Sequence, residues 1–373
     1  MKVIQILPEL NAGGVERGTL EVGKYLVDQG HESIIISNGG RQVAQLEAEG
    51  SRHITLPVHK KRLSSLKQVK GLRRIFEEEK PDILHLRSRL PAWLAWLAWR
   101  KMNSSTRPRL ITTVHGFNSV NRYSKIMTCG ERVICVSNSV REYILSNYPD
   151  ISKEKLTVIH RGIDLSKYNA AFKPSEEWLD AWYQSFPETH GKRLLTLPGR
   201  ITRLKGHGDF LHILEALKDE GYHGIIAGGA DPKKKEYLAE IQDKAKRMGL
   251  TNQVTFTGHR SDLKEILSLS DIVLSLTQQP ESFGRTTLEA LALGTPVIGY
   301  DHGGVGEILT QIFPDGKIKM SERSHVVEKI LEWTKAINRP EPTSEIPFTL
   351  QSMLRKTVKT YQDLDEPLEG RKP

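Results

Sequence analysis

The sequence has little cysteine and no long apolar run. Only two of its 373 residues are cysteines, Cys129 and Cys135, and their spacing fits neither a disulfide framework nor a metal site. No segment approaches the ~18–20 apolar residues that a membrane-spanning helix needs. The apolar N-terminus is short and is interrupted by Pro8 and Glu9, which favours a first β-strand over a signal peptide. These features predict a soluble protein of the reduced cytoplasm.

Several ligand-binding signatures are also missing. The thirteen histidines contain no H-x-x-x-H spacing, so no metal site is predicted. The G-x-G-x-x-G fingerprint of dinucleotide-binding proteins is absent, which argues against a nicotinamide-dependent dehydrogenase. The sequence shows no RNP-like aromatic strand, zinc finger or basic helix, so a nucleic-acid-binding protein is only a remote alternative.

The chain is basic, with 54 Lys and Arg against 45 Asp and Glu, a formal net charge of +9. One segment concentrates this charge and carries no acidic residue before Glu77: Lys60, Lys61, Arg62, Lys67, Lys70, Arg73 and Arg74. A solvated basic surface is one interpretation. The others are contact with an anionic membrane or with a phosphorylated substrate.

Short apolar segments alternate with amphipathic helical ones, which predicts an α/β protein with two parallel sheets covered on both faces. Eleven strands are expected, at 3–7, 32–37, 82–86, 109–114, 132–137, 156–160, 194–197, 224–227, 254–257, 271–276 and 296–300. Helices are expected at 15–29, ended by Gly30, from Pro91 onwards, and after a capping box at 139–142. Residues 164–192 are interpreted as an interdomain link, and one helix is expected at 349–364 before a frayed end.

The most specific motif is E-S-F-G-R-x-x-L-E, which runs from Glu281 to Glu289. It follows an expected strand and opens an expected helix, so it lies at the carboxyl edge of a parallel sheet, where open α/β folds bind ligands. Gly284 allows backbone N–H groups to approach an anion, and the helix N-terminus favours negative charge there. The motif therefore predicts a site for an anionic ligand.

A second basic loop follows the first strand of the second half. It contains Gly199, Arg200, Lys205 and Gly206. Arginine offers a planar fork of donors and lysine a point charge, a combination that suits a diphosphate. Arg203 in the same loop is expected to face water.

Other candidate residues lie at expected strand ends in the first half. Gly13 and Gly14 would form a ligand-facing turn, although a purely structural turn remains open. His115 would hydrogen-bond a sugar hydroxyl or orient a nucleophile. Arg87 and Arg89 would hold an acidic acceptor, with a salt bridge as the alternative. A stripe of Trp93, Trp96 and Trp99 is expected to be core packing, and contact with a membrane is its alternative.

With these motifs in hand, the chain resembles the retaining GT-B glycosyltransferases of family 4, group 1. The residues that carry the resemblance are the Gly13-Gly14 loop, His115, V-I-H-R-G-I-D at 158–164, Gly199-Arg200, Lys205-Gly206 and the glutamate motif. The segment that contains His85, Ser88, Pro91 and Trp93 resembles the corresponding segment of the family's lipopolysaccharide-core branch. The resemblance implies two Rossmann-like domains that face each other across a cleft. Residues 1–165 and a returning helix of about 349–373 would form the acceptor domain, and 166–348 the nucleotide-sugar domain.

The resemblance also implies roles for individual residues. Arg200 and Lys205 would neutralise the leaving diphosphate, Glu281 would sit beside the donor sugar, and Glu289 would bind the ribose. Other donor contacts would come from backbone N–H groups at Phe283, Gly284 and Arg285, from Gly13 and Gly14, from His115 at the reacting face, and from Arg260 near the base. No cofactor or metal is implied beyond the nucleotide-sugar substrate.

Together these expectations describe an enzyme that transfers a sugar from a nucleotide diphosphate to an anionic glycan or lipid-linked acceptor, in lipopolysaccharide-core or related surface-saccharide synthesis. It would lie in the cytoplasm, peripheral on the inner face of the cytoplasmic membrane. A nucleotide-sugar epimerase or a hydrolase on the same fold is the alternative.

Overall fold

The structure is a computed structural model that describes residues 1–11, 13–60, 62–230, 236–336 and 340–365. The chain divides into two compact units. Unit 1 comprises Met1–His160 and Gln351–Pro373, and unit 2 comprises Arg161–Leu350. The sequence-based division places the first boundary after residue 165 instead.

Unit 1 is built on a seven-stranded parallel sheet in the order β3-β2-β1-β4-β5-β6-β7. Its strands are β1 Lys2–Ile6, β2 Glu32–Ser37, β3 Arg52–Thr55, β4 Ile83–Leu86, β5 Arg109–Val114, β6 Arg132–Cys135 and β7 Leu156–Val158. Its helices are α1 Gly14–Asp28, α2 Val43–Ala48, α3 Gln68–Glu79, α4 Arg89–Trp99, α5 Arg122–Lys125 and α6 Asn138–Asn147, with 3-10 turns at Leu63–Lys67, Ile126–Thr128 and Lys153–Lys155.

Unit 2 repeats this plan with a six-stranded parallel sheet in the order β10-β9-β8-β11-β12-β13. Its strands are β8 Arg193–Pro198, β9 Tyr222–Ala227, β10 Val254–Gly258, β11 Ile272–Ser275, β12 Val297–Tyr300 and β13 Lys317–Ile318. The helices are α7 Glu176–Ser185, α8 His207–Ala216, α9 Glu236–Arg247, α10 Leu263–Leu269, α11 Arg285–Ala292, α12 Gly303–Ile312 and α13 Arg323–Lys335, with 3-10 turns at Pro187–Thr189, Arg203–Lys205 and Pro314–Gly316.

Each sheet has a point at which the strand order reverses. In unit 1 it lies between β1 and β4, and in unit 2 between β8 and β11. Open α/β sheets bind ligands in the crevice beyond the carboxyl ends of the strands at this point. The predicted fold of two Rossmann-like halves is therefore confirmed, and each half has its own candidate crevice.

The last helix, α14 at Leu350–Asp365, belongs to unit 1 from residue 351 onwards. Its Tyr361 is fully buried, and the Tyr361 hydroxyl lies 2.7 Å from Nδ1 of His85 on β4. The other ring nitrogen of His85 lies 2.6 Å from the Thr113 hydroxyl on β5. A buried histidine is thus fully hydrogen-bonded between helix and sheet, as buried polar groups must be.

Four local expectations differ from the structure. The helix cap in unit 1 is Ser137, whose hydroxyl accepts from the Val140 N–H at 3.1 Å, so the predicted capping box at 139–142 is wrong. The predicted link at 164–192 contains α7, and strands β3 and β13 were not predicted. Helix α4 begins at Arg89, two residues before Pro91. The expected frayed end beyond residue 365 lies outside the described residues.

No helix in the described part of the chain is long and apolar enough to cross a membrane. Both cysteines are free thiols, and burial raises the pKa of each to about 12. A thiol with so high a pKa stays protonated and unreactive at neutral pH.

Candidate functional site

An ion pair lies at the carboxyl edge of the unit 2 sheet, where the strand order reverses. The Lys205 ammonium contacts the Glu281 carboxylate, and both side chains are about three-quarters buried. Lys205 follows β8, whereas Glu281 follows β11, the neighbouring strand. Two residues that are 76 positions apart in sequence therefore meet at the predicted ligand crevice.

Close packing of two loops creates this arrangement. The Gln278 N–H donates to the Leu204 carbonyl at 2.7 Å, which ties the β11 loop to the β8 loop. Gly206 has a φ of +76°, and a Cβ at this position would lie 1.9 Å from the Leu276 carbonyl oxygen. Only glycine permits both this backbone conformation and this approach. Gly206 is therefore required for the contact between the loops.

Gly199 and Arg200 complete the β8 side of the crevice. Gly199 has a φ of +130°, and a Cβ there would crowd the Lys205 side chain at 3.3 Å. Arg200 is exposed, and its guanidinium has no carboxylate partner among the residues that the structure describes. By contrast, the Arg203 guanidinium makes a two-pronged ion pair with Glu240 at 2.9 and 2.5 Å. Arg200 is thus the unpaired cation of this loop among the described residues, and Lys205, although paired with Glu281, lines the cavity at the crevice, whereas Arg203 is paired with a residue of α9.

The glutamate motif forms the turn into α11. Gly284 is the residue before the helix, with a φ of +94°, and a Cβ on it would lie 2.8 Å from Val305. Phe283 is 2% exposed and packs edge-on against Phe348 in the core, so it can offer a ligand only its backbone. The first N–H groups of α11 point towards the carboxyl edge of the sheet and favour an anion there.

Glu289 lies in the second turn of α11 and is only 6% exposed. The Arg285 side chain, one helical turn earlier, approaches it at 4.0 Å. Lys205, Glu281, Thr286 and Thr287 line one small cavity between the two loops and the helix. The structure thus brings Lys205, Glu281 and the start of α11 together around one cavity.

Arg260 lies further along the same edge, after β10. Its guanidinium donates to both carboxylate oxygens of Asp262, at 2.8 and 2.5 Å, and lies about 6 Å from the rings of Trp182 and Phe186. Asp262 also accepts from the Trp178 indole at 2.8 Å. The Arg260 side chain is therefore held in place by unit 2 itself, and its contact with a base stays a prediction.

In unit 1, the glycine pair lies where expected, at the start of α1. Gly13 has a φ of +144°, and a Cβ there would lie 2.6 Å from the Glu16 carboxylate. A Cβ on Gly14 would meet nothing within 4 Å, so open space remains beside it. His115 directly follows β5 and is half-buried. Both lie beyond strand ends, at the carboxyl edge of the unit 1 sheet.

The expected position of Arg87 needs correction. Its side chain is only 2% exposed, and Nη1 donates to the Gln5 amide oxygen at 2.8 Å. Burial lowers the pKa of Arg87 to about 10, and Glu16 and Glu21 oppose this shift. Arg87 is therefore an interior cation of unit 1 and not a surface contact for an acceptor. Arg89 is half-buried and donates to the Ser124 hydroxyl at 3.1 Å.

Comparison with known proteins agrees with this geometry. The family model described as Glycosyltransferase Family 4 matches residues 12–167, and that described as Glycosyl transferases group 1 matches residues 180–339. The chain belongs to this family of GT-B glycosyltransferases. It is therefore a glycosyltransferase, and the predicted family is confirmed.

The relatives of this glycosyltransferase are distant but extensive. It is 24% identical over 324 residues to N-acetyl-alpha-D-glucosaminyl L-malate synthase of Bacillus anthracis, which covers 82% of this chain and 80% of the relative. It is 27% identical over 156 residues to the lipopolysaccharide core biosynthesis mannosyltransferase LpsB of Rhizobium meliloti, covering 41% and 43% of the two chains.

Two solved structures share the fold over nearly the whole chain. A glycosyltransferase from Rickettsia africae superposes with a TM-score of 0.83 at 28% identity, covering 97% of this chain and 98% of that one. The Anabaena protein HepE in complex with UDP-glucose superposes with a TM-score of 0.79 at 19% identity, and the match covers 97% of this chain and 100% of that one.

Sequence reasoning missed the turn from His302 to Gly304 in this glycosyltransferase. The Gly304 N–H donates to the Glu281 carbonyl at 2.8 Å, and a Cβ on Gly303 would lie 2.6 Å from the same oxygen. The His302 ring contacts the Thr277 carbonyl at 2.9 Å. The adjacent glycines at the start of α12 are the signal that could have revealed this support for the Glu281 loop.

Sequence reasoning also missed Asp209 on α8. Its carboxylate accepts from the Tyr300 hydroxyl at 2.7 Å and from the Gln278 amide at 2.8 Å, and Arg323 lies 3.5 Å away. Burial, followed by the hydrogen bond to Asp209, raises the pKa of Tyr300. Asp209 therefore fixes the loop that carries Glu281 to the helix that follows Lys205. Its three partners come from three separate parts of the chain, β12, the loop after β11 and α13, so no local motif marks it.

Proposed function

We propose that this glycosyltransferase moves a sugar from a nucleotide-diphosphate donor to a glycan or lipid-linked acceptor with retention of the anomeric configuration. The observation that carries the proposal is the Lys205–Glu281 ion pair at the reversal point of the unit 2 sheet, beside the start of α11. A cation and a helix N-terminus at one crevice suit a diphosphate. The complex of HepE with UDP-glucose supports a nucleotide sugar as the donor class.

The charges of the crevice match those of the reaction. Breaking the bond between the anomeric carbon and the phosphate oxygen places negative charge on the departing diphosphate. Arg200, Lys205 and the N–H groups at the start of α11 would stabilise that charge, a task that a metal ion performs in other enzymes. We therefore propose that transfer is independent of a metal.

Retention would follow from attack on the face that the diphosphate leaves. The acceptor hydroxyl oxygen bonds to the anomeric carbon, the carbon–phosphate oxygen bond breaks, and the acceptor proton passes to the departing diphosphate. The contact of Glu281 with Lys205 supports a position beside the donor sugar and disfavours a role as nucleophile. Glu289 would bind the ribose hydroxyls, and a contact of His115 with the donor sugar remains a proposal.

The pathway that we propose is synthesis of lipopolysaccharide core or a related surface polysaccharide. The partial match to LpsB supports it. Exposed Lys60, Arg62, Lys67 and Lys70 support an anionic acceptor and a peripheral position on the inner face of the cytoplasmic membrane.

Product analysis tests the proposal. The protein is incubated in EDTA with each common nucleotide sugar and with a lipid extract or defined phosphorylated saccharides, and new glycosides are characterised by mass spectrometry and NMR. The proposal predicts a glycoside with the configuration of the donor. Conversion of the donor without an acceptor would indicate an epimerase or hydrolase, an inverted product would exclude retention, and activity restored only by Mg²⁺ would exclude metal independence.

A further inference from the structure

Unit 1 contains an apolar groove that the proposed chemistry does not use. It lies between the 3-10 turn Leu63–Lys67 and helix α4, and it encloses about 620 Å³. Its apolar lining consists of Leu66, Leu90, Trp93, Leu94 and Leu97. A volume of this size falls within the ~300–1,000 Å³ typical of small-molecule sites, and such sites are mostly apolar with few polar groups.

The groove exists because α4 is apolar on two faces. Ala92, Ala95 and Ala98 are fully buried and form the face that packs into the core of unit 1. Leu90, Trp93 and Leu97 recur at helical spacing and form a second apolar face, which is only half-buried. A helix that is apolar on every side is normally buried completely. The second face of α4 is therefore incomplete without an apolar occupant.

Leu66 forms the opposite wall and is 53% exposed. It is one of the few large apolar side chains that face solvent in the described part of the chain. Because the apolar surface is concave, it fits a single hydrocarbon chain better than the plane of a bilayer.

Cations flank the groove. Arg62 lines it, and Lys67 and Lys70 are exposed on the adjoining turns. Among the described residues, none of these three side chains has a carboxylate partner. By contrast, Arg73 and Arg74 on α3 are ion-paired with glutamates one turn away. The charge beside the groove is thus available to an anionic ligand.

The groove also starts at the functional edge of the unit 1 sheet. Leu90 lies in the first turn of α4, directly after the carboxyl end of β4, and Tyr123, which also lines the groove, lies in α5, the helix after β5. From Leu90 to Leu97 the helix extends about 10 Å away from that edge. A chain in the groove would therefore present its polar end towards the edge that carries Gly14 and His115.

We propose that this groove binds the hydrocarbon chain of an anionic, lipid-linked acceptor, with Arg62 contacting the phosphate that joins the lipid to its saccharide. The proposal rests on the proposed function, which it narrows to acceptors that carry a lipid. The apolar wall recognises the chain, and the cationic rim recognises the charge.

Calorimetric titration with monomeric alkyl phosphates tests the proposal. Octyl, decyl and dodecyl phosphate are used below their micelle concentrations, with inorganic phosphate and the matching alkyl maltosides as references. Each buried CH₂ contributes about 0.8 kcal/mol, or roughly fourfold in affinity, so affinity should rise steeply with chain length until the groove is filled. Inorganic phosphate should not bind measurably.

Matched variants locate the binding. Leu66→Glu should lower the affinity for decyl phosphate at least tenfold. Val120→Glu, which alters an equally exposed residue outside the groove lining, should leave that affinity unchanged. Arg62→Gln should lower the affinity for the alkyl phosphates and leave the affinity for the alkyl maltosides unchanged. Leu97→Trp should shorten the chain length at which affinity stops rising.

Three results would overturn the proposal. Affinity that does not depend on chain length would exclude an apolar groove. Binding to vesicles of anionic lipid, lost in Leu66→Glu, without binding of any monomer would assign the surface to a bilayer. A change in sedimentation of Leu66→Glu would assign it to a second copy of the chain. The titrations need no sugar donor, so the two proposals can fail separately. Sugar transfer without binding of alkyl phosphates would contradict the lipid-binding groove alone. Binding of alkyl phosphates without sugar transfer would contradict the proposed function alone.

Discussion

Lys205 and Glu281 show how a residue's chemistry depends on a partner that is distant in sequence. Their residue types and the glycines near them could be predicted from motifs, because the proposed binding of a diphosphate calls for a cation and a close backbone approach. Their contact with each other could not, since it requires β8 and β11 to be neighbours. Arg87 shows the opposite outcome, because it follows a strand like the other candidates but turns inward to Gln5.

Replacing Lys205 with Met should lower kcat by roughly 10²–10³, as expected for loss of a charged donor that acts on the leaving group. Arg203→Met is the matched control, because Arg203 lies in the same 3-10 turn but is paired with Glu240 and is 69% exposed on its side chain. We expect the control to retain activity within a few fold in steady-state transfer assays. Equal losses in both variants would mean that general positive charge, and not the position of Lys205, supports the reaction.

His207 should make the protein sensitive to mild acid. It is fully buried at the start of α8, and burial lowers its pKa to about 4. In the unfolded chain the His207 imidazole takes up a proton near pH 6.5, whereas in the folded state it does so only near pH 4. The stability that the neutral imidazole contributes is therefore fully present above pH 6.5 and is lost as the pH falls towards 4. The loss from this group would approach about 3 kcal/mol.

Thermal unfolding between pH 7 and 4 measures this effect. His207→Gln should flatten the dependence in that window, whereas His212→Gln, which changes a half-exposed histidine of the same helix, should follow the unaltered protein. Parallel curves for all three proteins would contradict the assignment to His207.

At the scale of elements, strands with uniformly apolar sequence were predictable and mixed ones were not. Strand β2 contains Ile34, Ile35 and Ile36 in succession, all buried. Strand β3 contains Arg52, His53 and Thr55 and lies at the sheet edge, so its sequence carries no such signal. The capping box at 139–142 was wrong for a different reason, because Ser137 and Ser139 both have side chains that can cap a helix and only the backbone geometry distinguishes them. The end of α1 before Gly30, by contrast, agrees with the prediction.

The two loops of unit 2 should be sensitive to a single methyl group. Gly206→Ala places a Cβ 1.9 Å from the Leu276 carbonyl, whereas Gly221→Ala has the same φ of +76° and open space. Backbone strain should affect both, and only Gly206→Ala adds overpacking of about 1–3 kcal/mol. We expect Gly206→Ala to unfold several degrees lower than Gly221→Ala and to lose nucleotide affinity. Similar melting temperatures and nucleotide affinities in the two variants would show that the loops after β8 and β11 can move apart without loss of folding free energy.

At the scale of the whole molecule, the charge excess of +9 is a property of the sequence, but its use depends on which basic residues are already paired. On α3, Arg73 and Arg74 pair with glutamates, while Lys60, Arg62, Lys67 and Lys70 do not pair among the described residues. Lys61 lies outside the described residues. Composition alone predicts a basic surface and cannot assign it to a ligand.

Reversal of charge at Lys60, Lys61 and Arg62 to Glu should weaken sedimentation with anionic liposomes, because each basic residue near such a surface contributes about 1 kcal/mol. The matched control reverses Lys244, Lys246 and Arg247 at the end of α9 in unit 2, an equal change in net charge. Equal weakening by both would indicate non-specific attraction, and unchanged partitioning would exclude the membrane contact while leaving the catalytic account intact.

Binding of the nucleotide tests the central claim most directly. Thermal unfolding is measured in EDTA with UDP, GDP, ADP and CMP and with their sugars, and is repeated on Glu289→Ala. A ligand at 100 times its dissociation constant adds about 2.7 kcal/mol, which should raise the unfolding temperature by roughly 5–10 °C. The account predicts such a rise with one nucleotide without a metal, and a smaller rise in Glu289→Ala. No rise with any nucleotide would contradict a donor site in unit 2.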